Sequence, residues 1–219
     1  MNHGYDLTLG GTDMTALPEG ALWLPGPRLL CVSDLHLGKS DRIARRRGLM
    51  LPPYETRETL DRLDHLVSRL SPATVCCLGD SFDDLEAADS LDDVEKLQVT
   101  RMQAGRDWVW IEGNHDPGPV DFGGRHLAQL HVAGVTFRHI ADPSAQAEVS
   151  GHYHPKCSLR GGSRPAFLID DARVILPAFG AYTGGLRATA PALRGLMSPT
   201  ALAVLTGKRA LPVPLNTLA

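Results

Sequence analysis

Short apolar runs at Leu29 to Val32, Val75 to Leu78, Trp108 to Ile111 and Val135 to Phe137 each end abruptly in a polar segment containing glycine or histidine. Runs of this length, bounded by turn residues, read as buried strands feeding loops. Between the first two, Leu60, Leu63, Val67 and Leu70 recur at three-to-four-residue spacing over Glu55 to Leu70, behind Pro52 and Pro53. That spacing predicts an amphipathic helix. Between the second and third runs, Ser90 with Asp93 three residues on has the form of a capping box, and Leu91, Val94 and Met102 share one face before Gly105. A second helix is predicted there.

The first half thus alternates strand and helix, which favours α/β layering around a partly parallel sheet. After Leu130 the texture changes. Phe167 to Ile169 and Val174 to Leu176, separated by the turn-forming Asp170 and Asp171, predict hairpins in a second sheet. No internal repeat is visible. Beyond Tyr182, Gly184, Gly185, Pro191 and Pro199 mark a loop-rich stretch, and Ala201 to Leu205 fits either a last strand or a short helix.

Composition narrows the class. At 219 residues the chain fits one compact domain, residues 1–219. Apolar residues at 43% and charged residues at 21% are ordinary for a globular protein. A formal charge of -3 creates no whole-molecule field toward nucleic acid or an anionic membrane, so such a partner must be bound locally. The cysteines Cys31, Cys76, Cys77 and Cys157 include an adjacent pair that would face opposite sides of a strand, and no disulfide framework is expected. Met1 to Leu17 is polar and Gly-rich, and no apolar run approaches bilayer length, so the expectation is a soluble, cytoplasmic chain with no membrane contact.

Loops leaving the carboxyl ends of strands are where α/β proteins bind ligands, and here they carry most of the metal-capable residues. In Cys31-Val32-Ser33-Asp34-Leu35-His36, strand alternation would aim a carboxylate and an imidazole at one point. Asp80 follows the second run through Gly79, and Asn114-His115-Asp116 follows the third through Glu112 and Gly113; the glycines allow tight turns beside a bound group. His139 follows the fourth run, and Gly151-His152-Tyr153-His154 repeats the two-residue spacing. Mixed oxygen and nitrogen donors without thiolate suit Mn²⁺, Fe²⁺ or Zn²⁺ better than Mg²⁺ or Ca²⁺. The candidates Asp34, His36, Asp80, Asn114, His139, His152 and His154 exceed what one ion with an open position needs, and a pair of divalent ions sharing one carboxylate accounts for them. Taken alone, Asp34 and His36 would read as a polar loop pair and His139 as a hydrogen-bonded core residue; the ordered set changes that. His3, His65, His126 and His131 lack such context and read as structural or surface residues.

The order Asp-x-His, Gly-Asp-x-x-Asp, Gly-Asn-His-Asp, His and Gly-His-x-His, spanning Asp34 to His154, resembles the calcineurin-like metallophosphoesterase superfamily. The resemblance implies an α/β fold, a four-layer αββα sandwich of two mixed β-sheets flanked by helices. It also implies Asp34, His36 and His154 at one metal, Asn114, His139 and His152 at the other, and Asp80 as the bridge. His115 would stand clear of the metals as general acid or charge-stabilising donor, oriented by Asp116. A water acidified between the ions would attack phosphorus in line, with no covalent intermediate. Asp83 fits the superfamily's second acid and Asp84 lies close by, although the acid run from Asp80 to Glu95 also suits a solvated helix start. Lys39 and the basic run Arg42 to Arg47, with Arg45 and Arg46, could contact a phosphodiester backbone; a plain solvated helix face is the competing reading.

Further stretches are similar to the bacterial ligase-associated DNA damage response phosphoesterases, the PdeM family. They are Ser33 to Lys39, Leu51 to Leu60, Gly79-Asp80-Ser81-Phe82, Gly151 to Lys156 and Leu176 to Gly185. The last lies outside the metal set, so it separates this family from relatives sharing only the catalytic core. One departure is Asp83, where that family usually has His. The resemblance implies a Mn²⁺-dependent phosphodiesterase or nuclease acting on DNA, beside a DNA ligase and a helicase in repair. It leaves oligomeric state open. An aromatic content of 5% and the near-neutral charge give no evident base-stacking platform or extended cationic surface. The alternative keeps the chemistry on a small molecule, a nucleotide-linked lipid precursor or a cyclic nucleotide. An inactive binding scaffold is disfavoured because every ligand position is filled.

Overall fold

The apolar runs of the first half become strands buried on both faces, so alternate residues serve two different cores. A computed structural model describes residues 3–40, 54–83, 91–116, 118, 122–159 and 162–218. The first sheet contains β1 (Tyr5–Leu9), β2 (Thr12–Ala16), β3 (Leu22–Leu24), β4 (Leu29–Val32), β5 (Thr74–Leu78), β6 (Asp107–Ile111) and β7 (Arg125–Leu127), in that spatial order. β1 to β4 pair antiparallel and β4 to β7 parallel. Helices α1 (Glu55–Leu70) and α2 (Asp93–Gln103) connect the parallel strands.

The second sheet is built from β8 (Gln129–Val132), β9 (Val135–Arg138), β10 (Glu148–Ser150), β11 (Lys156–Leu159), β12 (Gly162–Ile169), β13 (Arg173–Ile175), β14 (Leu202–Leu205) and β15 (Leu211–Pro214). Its order is β15-β14-β12-β13-β10-β9-β8, with β11 paired to β12. Only β13, β10 and β9 run parallel among neighbours; the rest is antiparallel. A single helical turn, α3 (Pro191–Arg194), lies between β13 and β14 in sequence.

Side-chain alternation sorts the layers. Leu30, Val32, Cys77 and Trp110 face Leu60, Leu63, Leu66 and Val67 of α1 and Val99 and Met102 of α2. Their neighbours Leu29, Cys31, Cys76 and Ile111 face Phe137, Val149, Phe167, Val174 and Val204 of the second sheet. On that sheet's far side, Leu168, Ile175 and Ala203 pack with Leu193, Met197 and Leu215. Four layers result, with two mixed sheets back to back. Helical cover is unequal among the described residues, since α1 and α2 shield the first sheet and only α3, a 3-10 turn at Leu215–Thr217 and adjoining coil shield the second. The adjacent Cys76 and Cys77 lie in different cores, and Cys31, Cys76, Cys77 and Cys157 are free and buried. No helix among the described residues is long and apolar enough to cross a membrane.

Some expectations change. The cap of α2 is Asp92, whose carboxylate accepts from Glu95 N at 2.8 Å while the Glu95 side chain accepts from Asp92 N at 3.0 Å; Ser90 lies outside the described residues. Val94 is 66% exposed, because the helical period puts Glu95, Val99 and Met102 on the buried face instead. The polar, Gly-rich N-terminus forms the β1–β2 hairpin, in which Leu9 and Met14 reach the inter-sheet core. Ala201 to Leu205 contains the strand β14.

Candidate metal centre

Both sheets deliver candidate ligands to one place. Asp34 and His36 follow β4, Asp80 follows β5, Asn114 follows β6, His139 follows β9, and His152 and His154 follow β10. Ligand atoms of Asp34, His36 and His154 lie within 4.8 Å of one another, as do those of Asp80, His139 and His152. Each group therefore draws donors from both sheets.

Strand alternation is not what aims these side chains. Asp34, His36, Asp80, His152 and His154 have left-handed backbone, with φ of 54°, 47°, 45°, 70° and 46°. Such a conformation costs a non-glycine residue about 1–2 kcal/mol and persists only where surrounding bonds over-determine it. Those bonds are present: Asp34 N donates to Gly79 O at 3.2 Å, His36 N to Asp80 O at 3.0 Å, and Gly180 N to Asp34 O at 3.1 Å. One result differs from simple alternation, since His152 and His154, two residues apart, serve separate groups.

In the first group, His36 Nδ1 donates to Asp83 Oδ1 at 2.9 Å, which leaves the Nε2 lone pair free. That atom lies 3.4 Å from His154 Nε2, which in turn lies 3.1 Å from Asp34 Oδ1. Ser33 Oγ, a neighbour that motif reading passes over, donates to Asp34 Oδ2 at 2.5 Å. In the second group, His139 Nδ1 donates to Leu78 O at 3.0 Å, so its Nε2 lone pair faces inward. There it meets Asn114 Oδ1 at 3.0 Å, His152 Nδ1 at 3.2 Å and Asp80 Oδ2 at 3.4 Å. Lone pairs converging without protons between them call for a cation, and this arrangement fits a divalent metal.

A proton on His139 Nε2 can stand where such a cation would. Burial opposes charge on the Asp80 carboxyl, yet the hydrogen bond and charge of His139, the His115 N–H and His36 together hold it well below the usual range. Burial likewise disfavours a charged His139, but Asp80 and Asp34 overcome it and raise its affinity for a proton. His152 shifts down, through burial and then the neighbouring His139.

His115 stands beside the first group, its ring edge-on to His36 with centroids 5.3 Å apart. Its expected partner is not the one observed. His115 Nδ1 donates to the main-chain carbonyl of Asp83 at 2.9 Å. The Asp116 carboxylate instead accepts from Ser81 N at 2.8 Å, Phe82 N at 3.2 Å and Gly113 N at 3.1 Å, tying the Asp80 and Asn114 loops together. Burial, countered by these N–H donors, leaves the Asp116 carboxyl raised to about 6. Lys39 Nζ donates to Tyr182 O at 3.3 Å. Asp84, Arg45 and Arg46, with the rest of the basic run, lie outside the described residues.

Close approach requires glycine at motif positions. A Cβ at Gly79, where φ is +74°, would collide with the His139 ring, and one at Gly151 would collide with Ser33 Oγ beside Asp34.

A two-sheet sandwich with clustered aspartate, asparagine and histidine donors on its strand-end loops defines a metal-dependent phosphoesterase. The chain belongs to the calcineurin-like phosphoesterase family, whose profile matches residues 27–171. Among solved structures it is similar to the nuclease MPE of Pseudomonas putida, with a TM-score of 0.77 and 25% identity over 96% of this chain and 100% of that one. No curated protein matches it.

Proposed function

We propose that the chain is a dinuclear phosphodiesterase that cleaves DNA, as an endonuclease or end-processing enzyme in ligase-linked repair, with manganese as its metal. The observation that carries the reading is the adjacency of two donor groups, Asp34, His36 and His154 beside Asp80, His139 and His152, with Asn114 on the second. Asp80 Oδ2 lies 3.4 Å from His139 Nε2, and its carboxyl is also lowered by the charge of His36 from the first group, which supports its role as bridge. The likeness to a nuclease and the stretches shared with ligase-associated phosphoesterases support DNA as substrate and a ligase and helicase as pathway partners.

Two divalent ions held by these residues would supply Lewis acidity, neutralise phosphoryl charge and acidify a water. The chain's own residues do the positioning. His115, its Nδ1 fixed on the Asp83 carbonyl, presents Nε2 for proton delivery to the leaving oxygen as the P–O bond breaks. Asp83 also aims His36 through its carboxylate, so one residue orients a ligand and the acid together.

The test strips the purified chain of metal and reloads it with Mn²⁺, Fe²⁺, Zn²⁺ or Mg²⁺. Single-stranded, nicked and flapped DNA and a chromogenic phosphodiester are then assayed. Metal-dependent DNA cleavage is the expected result. Hydrolysis of the chromogenic diester with every DNA structure left intact ends the nuclease reading in favour of a small-molecule substrate.

A further inference from the structure

A cavity of about 370 Å³ opens against the second donor group, with Asn114 and His139 on one wall and Glu112, Ala128, Arg138 and Ile140 on the others. The small Ala128 side chain leaves it open on one side. Its chemistry differs from that of the centre beside it. Arg138 has its charge already met: Nη1 lies 3.2 Å from Asp142 Oδ2, Nε lies 3.3 Å from Glu148 Oε2, and Nη2 donates to Gln129 Oε1 at 3.2 Å. Asp142 and Gln129 hydrogen-bond its Nη atoms along the edge, and a guanidinium held by its edge can stack a flat ring on its face. The Gln129 amide is likewise engaged, with Arg138 and with His131 Nε2 at 3.1 Å. Ile140 adds an apolar side chain that is 46% exposed. Beside the Asn114 amide stands the exposed Glu112 carboxylate, which has no hydrogen-bond or ion-pair partner among the described residues.

A free carboxylate, an aliphatic side chain and a neutralised guanidinium repel a second phosphate. They suit a flat, neutral ring with hydrogen-bond donors on its edge. We propose that this cavity is a nucleobase subsite holding the base next to the scissile phosphate, and that Glu112 selects bases bearing an exocyclic amino group over thymine. The base packs against Ile140 and the Arg138 face while its amino group donates to Glu112. Guanine offers two adjacent donors to the two carboxylate oxygens, whereas thymine's ring N–H is flanked by carbonyls that repel a carboxylate. The inference rests on the phosphodiesterase reading and narrows its substrate to nucleotidyl diesters.

The test uses the metal-loaded full chain and three chromogenic diesters: the 5′-p-nitrophenyl phosphates of deoxyguanosine and thymidine, and methyl p-nitrophenyl phosphate, which has no base. The unaltered chain is expected to favour the deoxyguanosine ester over the thymidine ester in kcat/KM by about fivefold or more, and Glu112→Gln to reduce that preference to about twofold or less. Ala128→Trp fills the cavity from an exposed position. It is expected to lower the ratio of kcat/KM for the deoxyguanosine ester to that for the methyl ester by about tenfold. An unaltered chain without base preference, or a ratio that Ala128→Trp leaves unchanged, overturns the subsite. The two readings separate cleanly: expected ester ratios without DNA cleavage sink only the DNA reading, and DNA cleavage with ester ratios blind to both variants sinks only the subsite.

Discussion

His115 is oriented by the main chain of Asp83, its Nδ1 donating to that carbonyl at 2.9 Å. A backbone acceptor survives side-chain substitution, so the acid and its support can be separated by mutation.

Replacing His115 with Ala removes the proposed proton donor and no ligand of either donor group. Turnover is expected to fall about 10²–10⁴-fold, with bound metal unchanged. Steady-state kinetics beside elemental analysis decide this, and an unaltered rate would take His115 out of the mechanism.

Asp83→Ala deletes the carboxylate that holds His36 and keeps the carbonyl that holds His115. Metal affinity is expected to weaken about 10–100-fold, the usual cost of losing a partner behind a ligating imidazole. At saturating metal kcat should return to near its original value. A permanent loss of kcat with intact affinity would contradict this division of labour.

Asp80→Asn removes the carboxylate set against His139 and assigned to both ions. Elemental analysis is expected to show metal lost from both positions together. A variant that retains the full metal complement would refute the bridging role.

Away from the centre, burial raises the Glu95 carboxyl above its ordinary value despite the Asp92 N–H it accepts. A carboxyl raised by folding contributes stability at pH below its unfolded value and loses that contribution as pH climbs through its folded value. Glu95→Gln keeps the capping acceptor without the charge. Its melting temperature relative to the unaltered chain is therefore expected to be higher at pH 7 than at pH 4, and the reverse order would count against a desolvated carboxylate.

The sequence made the strands of the first half, helix α1 and the order of the ligands legible, because burial on two faces and a helical stripe both leave periodic traces. What it hid was backbone. The left-handed turns at Asp34, His36, Asp80, His152 and His154 have no residue signature, since none of them is glycine. The carbonyl roles of Asp83 and Leu78 belong to atoms every residue carries. Asp116, read as a partner of His115, sits beside it in sequence but points its carboxylate at loop N–H groups, a choice made by tertiary packing. The β1–β2 hairpin escaped notice because its polar face dominates a short segment.

The sharing of each donor group between the two sheets reaches beyond catalysis. A divalent ion held by Asp34 and His36 from one sheet and His154 from the other would act as an inorganic cross-link across the rim of the sandwich, comparable to a disulfide in a chain whose thiols are all free. Chelation would then unfasten that rim while the apolar interior away from it stays shut. Amide hydrogen exchange should then quicken first in the loops after β4, β5 and β10, and metal supply would govern how tightly this end of the protein closes.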